Sequence, residues 1–140
     1  MSLARYNLAS YKVVESKFVN EQESIESANI EFTPTSRVVY HPNEGEPSII
    51  VELEVQMIVR EAEEDIPVSG VEGSWKFKAH FTAGHGVDFG DLVTDSSFRV
   101  ELCAVVNSLA LKDLRYFLSS SGLSVSGMPF SFEVLSTSEV

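Results

Sequence analysis

The stretch SIIVELEVQMIVR, residues 48–60, decides how the rest of the chain is read. Ile49, Val51, Leu53, Val55, Met57 and Val59 are apolar, and Glu52, Glu54, Gln56 and Arg60 interleave with them. Side chains of a strand alternate between faces, so the pattern predicts a strand with one dry face and one wet face. A dry face has to be covered by something.

The neighbouring segments supply more of the same sheet. Residues 71–83, VEGSWKFKAHFTA, alternate again, with Val71, Trp75, Phe77, Ala79 and Phe81 on one side and Glu72, Lys76, Lys78 and His80 on the other. Joined to residues 48–60 by the acidic turn 61–70, they predict an antiparallel hairpin. Residues 8–20, LASYKVVESKFVN, have strand-like density, but the alternation slips between Val13 and Val14, as a bulge or a twisted edge would make it do. Residues 28–40 resume the alternation and are interrupted at Pro34, which donates no backbone hydrogen bond. That strand is expected at a sheet edge, or kinked at the proline. The expected sheet is a four-stranded antiparallel meander.

A Gly-rich crossover, residues 84–97, leads to a helix expected over residues 98–122, capped by Ser96 or Ser97 and stopped at Gly122. On a helical wheel Glu101, Ser108, Lys112 and Arg115 form one narrow stripe, and apolar residues fill most of the remaining circumference. A helix lying on one sheet with its back to water needs an apolar stripe of only about 100° or somewhat more. This helix therefore calls for cover on two sides. Either a second copy of the chain supplies it, through Leu102, Val106, Leu109 and Phe117, or the closing segment MPFSFEVL folds back over it. The fold class is α+β, a single domain over residues 1–140 with the long C-terminal helix packed on one sheet face.

Composition narrows the function. The chain has 140 residues and a net charge of −11, so nucleic acid and anionic membrane, both bound through Lys and Arg, are unexpected partners. The single Cys103 forms no internal disulfide, and its apolar helical surroundings make it a buried small hydrophobe rather than a nucleophile. The amino-terminal residues lack a signal-peptide run and no segment is long enough to span a bilayer, so the cytoplasm is the expected compartment. His41, His80 and His85 show no zinc spacing. GHGVDFG, residues 84–90, lacks the lysine and the context of a nucleotide-binding loop. No catalytic set, metal or cofactor is expected.

The order of elements and the last third of the chain resemble the bacterial SecB export-chaperone family. SLALKDLRYFL (108–118) is similar to the stretch around that family's Leu-Phe-Pro-Tyr-Ala-Arg motif, with Arg115 at the motif's arginine and Lys112 at its proline. GMPFSFEVL (127–135) is similar to the segment that opens the family's second helix, with Pro129 and Phe132 at its proline and phenylalanine. VELEVQMIVR (51–60) looks like its third strand. The spacing from Arg115 to Pro129 is shorter than in the family, which implies a divergent, C-terminally shortened member. The resemblance implies dimers of dimers with helices between sheets, and an ATP-independent holdase that takes unfolded chains into apolar grooves without a cofactor. The client-binding residues it implies are Phe18, Ile30, Phe32, Tyr40, Phe89, Leu92, Phe130 and Phe132. Glu52, Glu54 and Glu72 would face a SecA-like motor in protein transport, and an antitoxin-like partner is a further implied option. The alternative is an adaptor that keeps the scaffold and binds one folded partner.

Overall fold

Residues 48–60 do form a strand, and it lies at the middle of the sheet. The computed structural model describes residues 5–21, 28–42, 46–61, 66–84, 86–120 and 138–139. Four long strands, β1 (Tyr6–Asn20), β2 (Ala28–His41), β3 (Ser48–Glu61) and β4 (Pro67–Ala83), precede a one-turn helix α1 (Phe89–Leu92) and a long helix α2 (Ser96–Ser120). A two-residue strand β5 (Ser138–Glu139) completes the described elements. The sheet order is β1-β4-β3-β2-β5, antiparallel except for the parallel β2–β5 pair. The expected meander holds for β2, β3 and β4. The first strand departs from it by lying beside β4 instead of β2, which gives a Greek-key strand order.

Local irregularities fall where the residues demand them. The β1–β4 register shifts between Val13 and Glu15, so Val14 is bulged and 53% exposed, and it shifts again between Leu8 and Ser10. Through Pro34, β2 runs without a break, each residue from Ala28 to His41 paired with β3. The proline thus marks an outer strand and not a kink, for among the described residues only the short β5 lies beyond β2.

One helix covers the dry face. Ile49, Val51, Leu53, Val55, Met57 and Val59 are no more than 1% exposed, as are Trp75, Phe77, Ala79 and Phe81 on β4. Against them α2 sets Phe98, Leu102, Cys103, Val106, Ala110, Leu111, Leu114 and Leu118, all buried. Each fully buried aliphatic side chain of this kind contributes about 1.5–3 kcal/mol. Two of the expected interface residues need correction. The side chains of Leu102 and Val106 are wholly buried in the subunit's own core and have no area to offer a partner. The outward side is mostly small or polar (Ala104, Ser108, Lys112, Arg115, Ser119), with Val100 and Tyr116 as its large exposed residues. The cap is corrected too: Asp95, not a serine, accepts from the Ser97 N–H at 2.9 Å. Gly122 lies outside the described residues.

Two polar contacts tie β1 to the helix. Arg5 pairs with Glu101 and stacks over the Phe98 ring, 5.2 Å from its centroid. The Tyr11 hydroxyl donates to Asp113 Oδ2 at 2.6 Å. Burial first, then the Asp113 carboxylate, holds the Tyr11 hydroxyl well above its ordinary range. A raised folded-state pKa means that this contribution is complete below the unfolded value of about 10 and is lost as pH rises beyond it. Tyr11→Phe is expected to lower stability by about 1–2 kcal/mol at pH 7. It should also flatten the alkaline decline, so that urea midpoints of the two proteins converge between pH 9 and 11.

Candidate functional site

Cross-strand register gathers the inward side chains into ribs. One rib runs Phe18, Gly73, Met57, Phe32 across β1, β4, β3 and β2. Its middle is a trough because Gly73 carries no side chain, and the Trp75 indole lies over it. A Cβ at Gly73 would sit 2.3 Å from the Trp75 Cη2. Phe18 stacks on this indole at 6.4 Å and 27°. Phe32 closes the rib on the other side, about 14 Å from Phe18 by three strand spacings. Ile30 stands one rib further, across from Val59. Phe18, Ile30 and Phe32 are each half-buried against the core.

A second cluster lies at the opposite end of β2. Tyr40, across from Ile49, is half-buried, and its hydroxyl packs close to Gly90 at the start of α1. The Asp88 carboxylate caps α1 by accepting from the Gly90 N–H at 2.9 Å. Leu92, the last residue of α1, is also half-buried against the core. The first residue of α1, Phe89, is 0% exposed and packs on Phe98 at 6.1 Å, so it is core and lines no groove. Eight residues of strand separate Phe32 from Tyr40, about 27 Å. The expected client-binding residues thus form two clusters on the helix-bearing face. Phe130 and Phe132 lie outside the described residues.

The other sheet face is charged and mixed. Glu52 and Glu54 are half-buried and Glu72 is exposed, but Glu52 sits across from Lys78 and Glu54 across from Lys76. Arg37 pairs with Glu52 at 3.5 Å, Arg60 with Glu31 at 3.0 Å, and Glu15 bridges Lys17 and Lys76 at 3.1 and 3.6 Å. The Lys17 ammonium, with Lys76 behind it, holds the Glu15 carboxyl below its usual range. Strand alternation places Lys12, Lys17, Arg37, Arg60, Lys76 and Lys78, six of the chain's ten cationic side chains, on this face. The expected acidic patch is therefore an alternating one. A shallow depression of about 420 Å³ on this face is lined by both signs, with Val14 at its rim.

Along the flank of α2 toward β1 runs the i, i+4 row Glu101, Val105, Leu109, Asp113, Phe117, all half-buried. Leu109 and Phe117 are the two expected interface residues that keep exposed area. Cys103 is wholly buried, and burial pushes its thiol up despite the nearby Ser36 hydroxyl and Arg99. Among the described residues no three His, Cys, Asp or Glu side chains converge as metal ligands would, and no helix is long and apolar enough to cross a membrane.

A four-stranded antiparallel sheet bearing one long helix on one face, in this strand order, is a SecB-like α+β fold. Among solved structures it is similar to the SecB-like chaperone Rv1957 of Mycobacterium tuberculosis, in complex with a ChAD peptide from the HigA1 antitoxin Rv1956. The likeness has a TM-score of 0.56 at 12% identity and covers 94% of this chain and 91% of that one. No protein-family model matches the sequence, and no curated protein does either.

Sequence reasoning put Trp75 on the apolar face but missed that its buried indole fills the space over Gly73. The signal was present, because a glycine two residues before an inward tryptophan on one strand face leaves room for the ring to lie down. Gly73→Ala is expected to displace the indole and cost about 1–3 kcal/mol. As Trp75 is the single tryptophan, its emission should shift to longer wavelength in the variant. An unshifted spectrum with an unchanged melting temperature would show that the trough does not position the ring.

Proposed function

We propose that this chain is an ATP-independent holdase that keeps unfolded or aggregation-prone polypeptides in extended form on the apolar, helix-bearing face of its sheet. The observation that carries the reading is the SecB-like fold over nearly the whole chain, in a neighbour solved with a bound peptide. The half-buried apolar side chains Phe18, Ile30, Phe32, Tyr40 and Leu92 support it, because partly exposed aromatic and aliphatic side chains accept many sequences through burial alone. Phe130 and Phe132 are assigned to the same client surface. The protein works in the cytoplasm as a homo-oligomer, dimer or tetramer, joined through Leu109 and Phe117 on the helix flank. An antitoxin-like segment is a fitting client. Docking of a SecA-like motor on Glu52, Glu54 and Glu72 is the weaker part of the reading, since Arg37, Lys76 and Lys78 interrupt that surface.

A second reading keeps the scaffold and assigns it one dedicated partner as an adaptor. The neighbour's partner, a peptide from a particular antitoxin, favours it. Aggregation assays separate the two. The holdase is expected to suppress aggregation of several unrelated chemically unfolded proteins without nucleotide, and Phe32→Ala to weaken this several-fold. An adaptor would leave all of them to aggregate. If Phe32→Ala lowers only the melting temperature, Phe32 is core.

Leu109→Asp tests the assembly. A charge on that flank is expected to split the oligomer into smaller folded units with unchanged far-ultraviolet circular dichroism. An unchanged sedimentation mass would place the interface elsewhere.

A further inference from the structure

The sheet face turned away from α2 holds its charges in near balance. Cross-strand register sets Lys12, Lys78, Glu52 and Arg37 in one rib and Glu15, Lys76, Glu54 and Thr35 in the next. With Lys17, Arg60, Glu31 and Glu72, the described strands give this face six cations and five carboxylates, a balance of +1. The whole chain carries −11, so the rest of it carries −12. Two copies that meet through those other surfaces bring, on average, like charge against like. The signs on the near-neutral face are also sorted by strand. On β4, Lys76 and Lys78 stand two residues apart, and Glu54 and Glu52 lie directly across from them on β3. Among the described residues Lys78 and Glu54 join no ion pair, and both are half-buried at the middle of the sheet. They line the shallow depression of about 420 Å³, with the exposed Val14 at its rim.

We propose that this face is a self-complementary docking surface for a second copy of the chain, with a two-fold axis running between β3 and β4 and parallel to them. Such a rotation lays β4 of each copy over β3 of the other and keeps every rib at its own level. Lys76 and Lys78 then stand over the second copy's Glu54 and Glu52, and its lysines stand over the carboxylates of the first. Lys78 and Glu54 gain partners in this arrangement. Lys12 and Arg37 oppose each other only at the outer margins, where long side chains reach water and two sheets aligned to within about 30° diverge. Stacked sheets lie about 10 Å apart, a gap that facing lysine and glutamate side chains fill. Five ribs across four strands, from Ser10–His80 to Val19–Glu72, cover about 500 Å² per copy. The total of about 1,000 Å² is the lower bound for a specific contact, and exposed pairs add little each, so the association is a reversible one. At physiological salt the screening length is about 8 Å, less than the depth of the sheet and helix layers, so the acids of the far surfaces oppose the contact only weakly. This surface lies on the other side of the sheet from the Leu109 and Phe117 flank, and its pairing does not depend on the holdase reading. A chain paired in this way has Glu52 and Glu54 covered, which closes them to any other partner.

Charge reversal tests it, read by sedimentation of the full chain at physiological salt, with and without Leu109→Asp so that the flank contact is separated from this one. Lys76→Glu with Lys78→Glu brings carboxylates over carboxylates at the axis, and Glu52→Lys with Glu54→Lys brings lysines over lysines. Each double variant is expected to associate through this face at least about tenfold more weakly than wild type. An equimolar mixture of the two restores opposite charges across the axis, and its dissociation constant should return to within about threefold of the wild-type value. Far-ultraviolet circular dichroism checks that each variant is folded. The chain carrying all four substitutions keeps opposite signs side by side in its own sheet and should self-associate as wild type does. Unchanged association of both double variants, a mixture as weak as its components, or a fourfold variant that stays apart overturns the second-copy surface. Loss of all association on Leu109→Asp alone overturns it as well, because that flank lies on the other side of the sheet.

Discussion

A sheet that is apolar on one face only, with the long helix α2 lying across it, is the constraint from which the rest follows. The inward row of β3 is shielded almost completely, and the matching row of β4 lies beneath the same helix. These two central strands hold the core. The outer strands β1 and β2 carry residues that the helix shields only in part: Phe18 and Tyr11 on one, Ile30, Phe32 and Tyr40 on the other. Partial shielding is what gives a surface both the apolar character and the access needed to hold another chain. Burial at the centre and partial exposure at the margins come from one geometric fact, that a helix is narrower than a four-stranded sheet.

Much of this was legible in the residues. Period-two alternation located all four long strands, the slip at Val13–Val14 marked a real bulge, and Pro34 marked an outer strand. Alternation reports which face a side chain takes and is silent about which strand lies next door, so the seat of β1 beside β4 was not readable. The helical wheel misplaced two interface residues for a related reason. It counts apolar residues around the circumference without knowing how much of it a twisted sheet can reach. Leu102, Val106 and Leu111 proved to be inside, and small residues such as Ala104 and Ser108 carry the exposed side. Phe89 was assigned to a groove through the family resemblance, whereas one capped turn carries its ring into the core.

The candidate surface was half legible. Its aromatic residues could be named from strand spacing, but their division into two clusters depends on position along β2, and the filling of the Gly73 trough depends on a ring conformation. Charge was legible in total and not in distribution. A chain of net charge −11 collects most of its cations on the sheet face away from the helix, which leaves the remaining surface more acidic than the average suggests. A basic segment would be drawn toward those other surfaces before any close contact forms, and added salt would weaken that attraction.

The bulges in β1 have a consequence of another kind. An open sheet with flat, regular margins invites identical molecules to add side by side without limit, the route to fibres. With two register shifts on one margin and a proline on the other, this sheet offers no long straight template for such growth. The molecule can keep partly exposed apolar borders and still resist polymerising through them.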